Sequence, residues 1–441
     1  MLSRRAFLGT SALSATAAAA QSAGPARPTG PNSRITVGMI AVGARAQELL
    51  EAIKQCEGTE IVAVCDAYKG RLERAVQRTG GRAKIVSDWR AMLNDKSIDV
   101  VTVASPDHWH KTHVIEALKA GKDVYCEKPL TYTVEDGQEI LDTVKQTGRL
   151  LQVGSQGMSS ATQQHARELI QAGKLGKITM IRASYNRNTA SGAWIYPIPP
   201  DASPATVNWD MFLGPAPKRA FDLARFFRWR CYKDYSGGIA TDLFVHLCTT
   251  IHFLMDAKMP ASVVAMGQLY RWKESRDVPD TINAILEYPE GFVANLSSTF
   301  NNQLSAEGGF QILGAEGSLT LGGGGFTFHP EMAVEDNRWI VESWPRDLED
   351  AYYKDPKVRR EEVPASHPPQ VIPAVQTYRE RGLEATIVHF QKFFDSVRNR
   401  KPTVEDALMG HRAAACAHLI NRSAETKKML HWDFSKETIK A

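Results

Sequence analysis

From Ile35 to Val42 the chain reads ITVGMIAV, an apolar run of strand length without strict alternation. Such a run is expected of a parallel strand covered on both faces. The segment from Gln47 then takes on helical spacing. Further apolar runs follow at EIVAVCD (60–66), IDVVTVASP (98–106), DVYCEKP (123–129) and LLQVGSQ (150–156), each preceded by a stretch of helix length. This alternation predicts an α/β domain of Rossmann type, a doubly wound parallel sheet, over residues 31–154.

Beyond residue 155 the period changes. A helical stretch (160–176) leads into KITMIRASYNR (177–187), and alternating runs follow at 261–272, 280–300 and 308–330. Pro289-Glu290-Gly291 and Gly314 to Gly317 mark two hairpin connections. The grouping predicts an α+β domain over 155–441 with a large, mostly antiparallel, open-faced sheet. Residues 331–383 show no clean period and are expected to form an extended loop excursion. Two helices, 384–400 and 405–423, close the chain.

A chain of 441 residues suits two domains rather than one core. Its formal charge is +4 with both signs interspersed, which argues against a nucleic-acid partner and gives no membrane-surface signal. Six cysteines occur without a CxxC pair, so neither a zinc site nor a redox dithiol is indicated. The first residues, MLSRRAFLGTSALSATAAAA, carry Arg4-Arg5 before a mild Ala/Leu run. They are expected to be a twin-arginine export signal and linker, residues 1–30, too short and Ala-rich for a membrane anchor. Export to the periplasm follows from that expectation.

Candidate chemistry gathers at the ends of the apolar runs. The first strand–helix turn reads Ala41-Val42-Gly43-Ala44-Arg45-Ala46 where a dinucleotide fingerprint would read Gly-x-Gly-x-x-Gly. Gly43 keeps the glycine that lets backbone approach phosphates, and Ala41 departs from the first. Asp66 ends the second run about 20 residues on, where an acid bonds an adenosine ribose and favours NAD over NADP; Arg71 would soften that preference if it swung inward. The alternative is an aspartate that merely ends a strand. Ser105, Pro106, His108 and His110 end the third run, Glu127 and Lys128 the fourth, and Gln156 follows the fifth. Ligands of open α/β sheets collect at such ends. His110 and His113, three apart, lack a third ligand, so no metal is expected. Far along the chain, DYSGGIATDLFVHLCTTIHFLMD (234–256) places Leu243, Leu247, Ile251 and Leu254 on one helical stripe with Asp242 and His246 beside it. A carboxylate beside a histidine supports a proton acceptor, or is an ordinary helical pair.

Taken together, SPDHWH, GKDVYCEKPL, GKLGKI, NWDMFLGPAP, RFFRWRCYKDYSGG, TDLFVH and GHRAAACAHLINRS resemble the glucose–fructose oxidoreductase / inositol dehydrogenase (Gfo/Idh/MocA) family, in particular its exported branch. The resemblance implies a nicotinamide cofactor, NAD with NADP still open, held tightly where free NAD is scarce. It implies hydride transfer between that cofactor and a sugar, glycoside or cyclitol hydroxyl carbon. Lys128, behind a cis Lys128-Pro129 peptide, would bond the reacting hydroxyl; His246 would take its proton and Asp242 would hold His246. Arg228, Trp229, Arg230 and Tyr235 are of the kind that hold sugar hydroxyls. The implied partners are a small carbohydrate, the export machinery and further copies of the chain paired through the second sheet. Two alternatives remain open: a redox-neutral glycosidase or lyase working through a transient keto-sugar, and a non-catalytic sugar-binding protein.

Overall fold

The computed structural model describes residues 34–304, 309–331, 338–361 and 374–440; the Arg4-Arg5 signal lies outside them. The first sheet comprises β1 (Ile35–Ile40), β2 (Thr59–Cys65), β3 (Lys84–Ile85), β4 (Val100–Val103), β5 (Asp123–Glu127) and β6 (Leu151–Gly154). Its order is β3-β2-β1-β4-β5-β6 and every pairing is parallel. Val37, Met39, Val100, Val101 and Val103 are wholly buried. Helices cover both faces, which is why these runs do not alternate. Strand order reverses between β1 and β4, and there the carboxyl ends open a crevice. The two-residue β3 escaped the sequence pattern because both its residues are exposed at the sheet edge.

The second sheet holds β7 (Ile178–Ser184), β8 (Ser262–Gln268), β9 (Thr281–Tyr288), β10 (Phe292–Thr299), β11 (Phe310–Gly314), β12 (Gly317–Gly322), β13 (Gly325–Pro330), β14 (Gln376–Arg379), β15 (Leu430–Asp433) and β16 (Thr438–Ile439). Its order is β14-β13-β12-β11-β7-β10-β9-β8-β15-β16. All pairings are antiparallel except β7 with β10. In β9 and β10 alternate residues are buried, so one face packs on helices and the other stays open.

Three expectations change. The stretch read as a loop contains helices Arg338–Val341, Arg346–Lys354 and Pro356–Glu361 and the edge strand β14. Helix Arg346–Lys354 buries no residue and β14 is largely exposed, so neither imposes an apolar period. The first helix begins at Ala44 rather than Gln47. Helix Ala385–Asn399, expected with the second domain, returns to the first: Phe390, Phe393 and Phe394 join Val37 and Met39 in one core. Phe390 stacks on Tyr125 at a centroid distance of 4.3 Å.

Helix Ala407–Thr426 wedges between the domains, and Glu405 enters the core just ahead of it. Burial pushes the Glu405 carboxyl up to about 8, and its Oε2 has no hydrogen-bond partner. A raised carboxylate contributes stability fully below the unfolded pKa near ~4.3 and loses it as pH rises through the folded value. Glu405→Gln is therefore expected to raise the melting temperature at pH 8.5 and to leave it nearly unchanged at pH 4.5. Thermal unfolding across that range checks the slope.

Candidate active site

The site is built from the carboxyl ends of the first sheet and a helix of the second domain. At the end of β1, Ala41 takes a φ of +63°. Glycine adopts this left-handed conformation freely, whereas an L-residue spends about 1–2 kcal/mol on it. The departure at Ala41 is thus one of residue type and not of backbone shape. Asp66 braces the turn: its Oδ2 accepts the Val42 N–H at 2.8 Å and its Oδ1 the Tyr68 N–H at 2.8 Å. Gly43 opens helix Ala44–Ile53 with no side-chain cap and no acid in the first turn, so the helix-start N–H groups remain available to an anion. A Cβ at Gly43 would project into the gap before the Arg71 guanidinium, 3.6 Å away.

A cavity of about 520 Å³ runs from Asp66 and Arg71, past Gly43 and Ser105, to Lys128, His246 and Arg230. Its donor set suits a dinucleotide: a bare helix start, a carboxylate at the β2 end and apolar strand ends between them. Ala41, Ala44, Arg45, Pro106, His110, Glu127 and Gln156 line it as well. Glu127 Oε1 accepts from Gln156 Nε2 at 2.8 Å and Arg45 Nε at 3.3 Å. The His110 ring ties two strand ends, its Nδ1 lying 2.6 Å from the Pro129 carbonyl and its Nε2 2.8 Å from that of Ser105.

The Lys128-Pro129 peptide is cis. Lys128 Nζ donates to the Asp242 carbonyl at 2.8 Å and to its Oδ1 at 3.0 Å, and Arg230 Nε donates to the same Oδ1 at 2.9 Å. The three side chains are 11, 13 and 22% exposed, so water screens the cluster little. Burial by itself would raise the Asp242 carboxyl, but Lys128 and Arg230 hold it far below the ordinary carboxylate range. A π-turn, Ala240–Phe244, precedes helix Val245–Met255 and alters the spacing read from the sequence. Asp242 engages the two cations, and no hydrogen bond among the described residues joins it to His246. Burial, and then the charge of Lys128, push His246 down to about 3, so its imidazole is neutral near pH 7. Asp107, on the cavity floor, accepts from Ser236 Oγ at 3.0 Å; burial raises its carboxyl.

Part of the second domain roofs the Asp66 end of the cavity. Val207 forms an antiparallel bridge with Tyr68. The Lys69 N–H donates to the Thr206 carbonyl at 3.0 Å and the Asn208 N–H to that of Ala67 at 2.7 Å. Tyr68 OH donates to Asp201 Oδ1 at 2.5 Å. Phe226 and Phe227 close over Arg71, whose guanidinium carbon lies 5.1 and 5.2 Å from their ring centres. Further along, the Phe212 carbonyl accepts from Trp109 Nε1 at 2.9 Å, and Gly214 packs under that indole where a Cβ would lie 1.8 Å from it.

Three residues assigned from sequence do not reach the cavity. His108 Nε2 lies 3.0 Å from the Phe212 carbonyl, Arg228 Nε donates to the Tyr196 carbonyl at 2.8 Å, and Tyr235 is buried against Phe212 at a ring distance of 4.8 Å. They belong to the packing of the roof, whose aromatic residues build a small core of their own. Trp229 and Arg230, from the same stretch, do line the cavity, together with Arg187, Trp194 and Tyr196. The last three gave no sequence signal beyond an Arg- and aromatic-bearing run after β7.

Comparison with known proteins agrees with this two-domain fold. Residues 35–155 match the family model described as "Oxidoreductase family, NAD-binding Rossmann fold". Inositol 2-dehydrogenase of Salmonella typhimurium is 29% identical over 158 residues, covering 35% of this chain and 47% of that protein. D-glucoside 3-dehydrogenase of Escherichia coli is 32% identical over 165 residues, covering 37% and 46%. The match thus spans about half the length of these curated relatives. Among solved structures, levoglucosan dehydrogenase in complex with NADH and levoglucosan shares the fold, with a TM-score of 0.63 at 19% identity over 90% of this chain and 99% of that one. Residues 163–320 match the "GFO/IDH/MocA C-terminal domain", so that both domains carry the signature and the protein belongs to the Gfo/Idh/MocA oxidoreductase family.

Proposed function

We propose that the protein is an NAD-dependent oxidoreductase acting on a hydroxyl carbon of a sugar, glycoside or cyclitol. The observation that carries this reading is the shielded Lys128–Asp242–Arg230 cluster beside His246, in one cavity with the Gly43 turn. Backbone N–H groups after Gly43 would hold a pyrophosphate, Asp66 a ribose, and Ser105, Glu127 and Gln156 would flank the nicotinamide end. The bound nicotinamide supplies the two-electron acceptor. The chain's own residues supply position and proton handling. Lys128, fixed by Asp242, would direct an N–H toward the reacting hydroxyl oxygen, and neutral His246 would accept the hydroxyl proton on a ring nitrogen. Trp229 offers an aromatic face and Arg187 a fork-shaped donor of the kind that suits a sugar ring. The curated relatives named above act, by their names, on an inositol and a glucoside.

Finer readings belong here too. The Arg4-Arg5 motif supports export to the periplasm by the twin-arginine route. The roof over Asp66 supports a tightly held cofactor; Asp66 favours NAD, and the Arg71 guanidinium, 3.7 Å from its Oδ1 and lining the same cavity, softens that preference over NADP. Met266 and Ile285, 73 and 52% exposed on the open face of the second sheet, support a homo-oligomer through that face. To test the central reading, purified protein is incubated with cyclitols, pyranoses and aryl glycosides while reduced-nicotinamide absorbance and aglycone release are both followed. Substrate-dependent absorbance is expected. Aglycone release without net reduction would replace the dehydrogenase with the redox-neutral glycosidase, and binding without either signal would leave only a sugar-binding protein.

A further inference from the structure

A second cavity, of about 410 Å³, lies between the start of helix Val245–Met255, helix Ala161–Gln171 and the β12–β13 turn. It shares two wall residues with the first cavity, His246 and Gln156. Its walls mix hydroxyls and an amide (Thr162, Thr250, Tyr185, Gln163) with the apolar side chains of Phe310 and Leu321. Among the described residues no lysine or arginine lines it. The one carboxylate among the described lining residues, Glu380, is already engaged, Oε1 accepting the Ala161 N–H at 2.8 Å and Oε2 the Thr162 hydroxyl at 2.7 Å. Gln163 Nε2 donates to Thr250 Oγ1 at 3.1 Å, while Gln163 Oε1 is buried without a partner. An unpaired amide oxygen in a polar wall is costly, and a small movement would let it meet a donor.

The first cavity has to take both a dinucleotide and the reacting ring, and its size is that of a single ligand site. A larger substrate needs room beyond it, and the neighbouring space touches His246 itself. We propose that the second cavity is the subsite for the far part of a glycoside, the aglycone or neighbouring sugar of a molecule whose oxidised ring lies between Lys128 and His246. This rests on the sugar-oxidoreductase reading above. The wall chemistry selects an uncharged, hydroxyl-bearing group with one apolar face. It disfavours sugar phosphates and nucleotide sugars, whose charge would find no cation there.

The test measures binding rather than turnover. A panel of methyl pyranosides and the matching disaccharides is titrated into the NAD-loaded, full-length protein by calorimetry. At least one disaccharide is expected to bind tenfold or more tightly than its methyl pyranoside. Thr250→Trp, which fills the second cavity, is expected to bring that ratio close to one. Thr162→Phe repeats the test from the opposite wall, away from the helix that carries His246. A disaccharide preference that survives both substitutions, or its absence in the wild type while methyl pyranosides bind, overturns the subsite and leaves the sugar reading intact. If no sugar of either size binds the wild type, both readings fall.

Discussion

Lys128→Ala is expected to lower kcat by about 10²- to 10⁴-fold, the range of a lost positioned proton-handling group, while the protein stays folded and keeps its nicotinamide. Lys128 is tied at 2.8 and 3.0 Å to Asp242 and is only 11% exposed, so its ammonium is held in the cavity rather than solvated. Its removal has a second, independent readout. After burial, the charge of Lys128 is the largest influence holding His246 down at about 3. The His246 imidazole is therefore expected to titrate at higher pH in the variant, still below an ordinary histidine because burial persists. Histidine NMR of wild type and variant, each with kcat measured at saturating cofactor, checks both. Near-normal turnover would remove Lys128 from the reaction, and an unmoved His246 would show that the two groups are not electrostatic neighbours in solution.

Asp242→Leu is expected to cost about 3–5 kcal/mol of stability at pH 7, because it leaves Lys128 and Arg230 facing each other in a shielded site without a counter-charge. The pH dependence follows from the depressed carboxyl. A lowered carboxylate contributes stability fully above the unfolded pKa near ~3.9 and loses it as pH falls toward the folded value. The stability gap between wild type and variant should therefore be largest at pH 6–8 and shrink below pH 4. Urea unfolding at pH 7 and pH 3 measures it. Adding Lys128→Met to the variant should recover part of the loss, since one uncompensated cation is removed. A gap that is small at pH 7, or a double variant no more stable than Asp242→Leu, would mean that the cluster is not what holds the helix against the first sheet.

Both expectations depend on a contact that the chain does not announce. Asp242 and His246, four apart, read as a pair on one helical face. The π-turn at Ala240–Phe244 and the arrival of Lys128 and Arg230 give Asp242 different partners. Likewise, Arg228, Trp229, Arg230 and Tyr235 read alike as residues that hold sugar hydroxyls, yet the fold packs Arg228 and Tyr235 into the roof and turns Trp229 and Arg230 toward the cavity. Helix Ala385–Asn399 carries a clear amphipathic signal, but nothing local says which domain its phenylalanines will enter.

The amino-acid sequence by itself determined the alternation of buried runs and helices, the open-faced second sheet, and the placing of Asp66, Ser105, Glu127 and Lys128 at strand ends. These follow from burial period and chain reversal, which are encoded within a few residues of where they act. Only the tertiary structure decided that Ala41 keeps the glycine conformation, that Asp242 serves Lys128 and Arg230, that the segment around Val207 roofs the cofactor cleft, and that a second cavity adjoins His246. Each depends on backbone or side-chain groups brought together from separate parts of the chain. Lys128 and Asp242 stand 114 residues apart, and their pairing is set by how the two sheets pack rather than by any pattern in either segment.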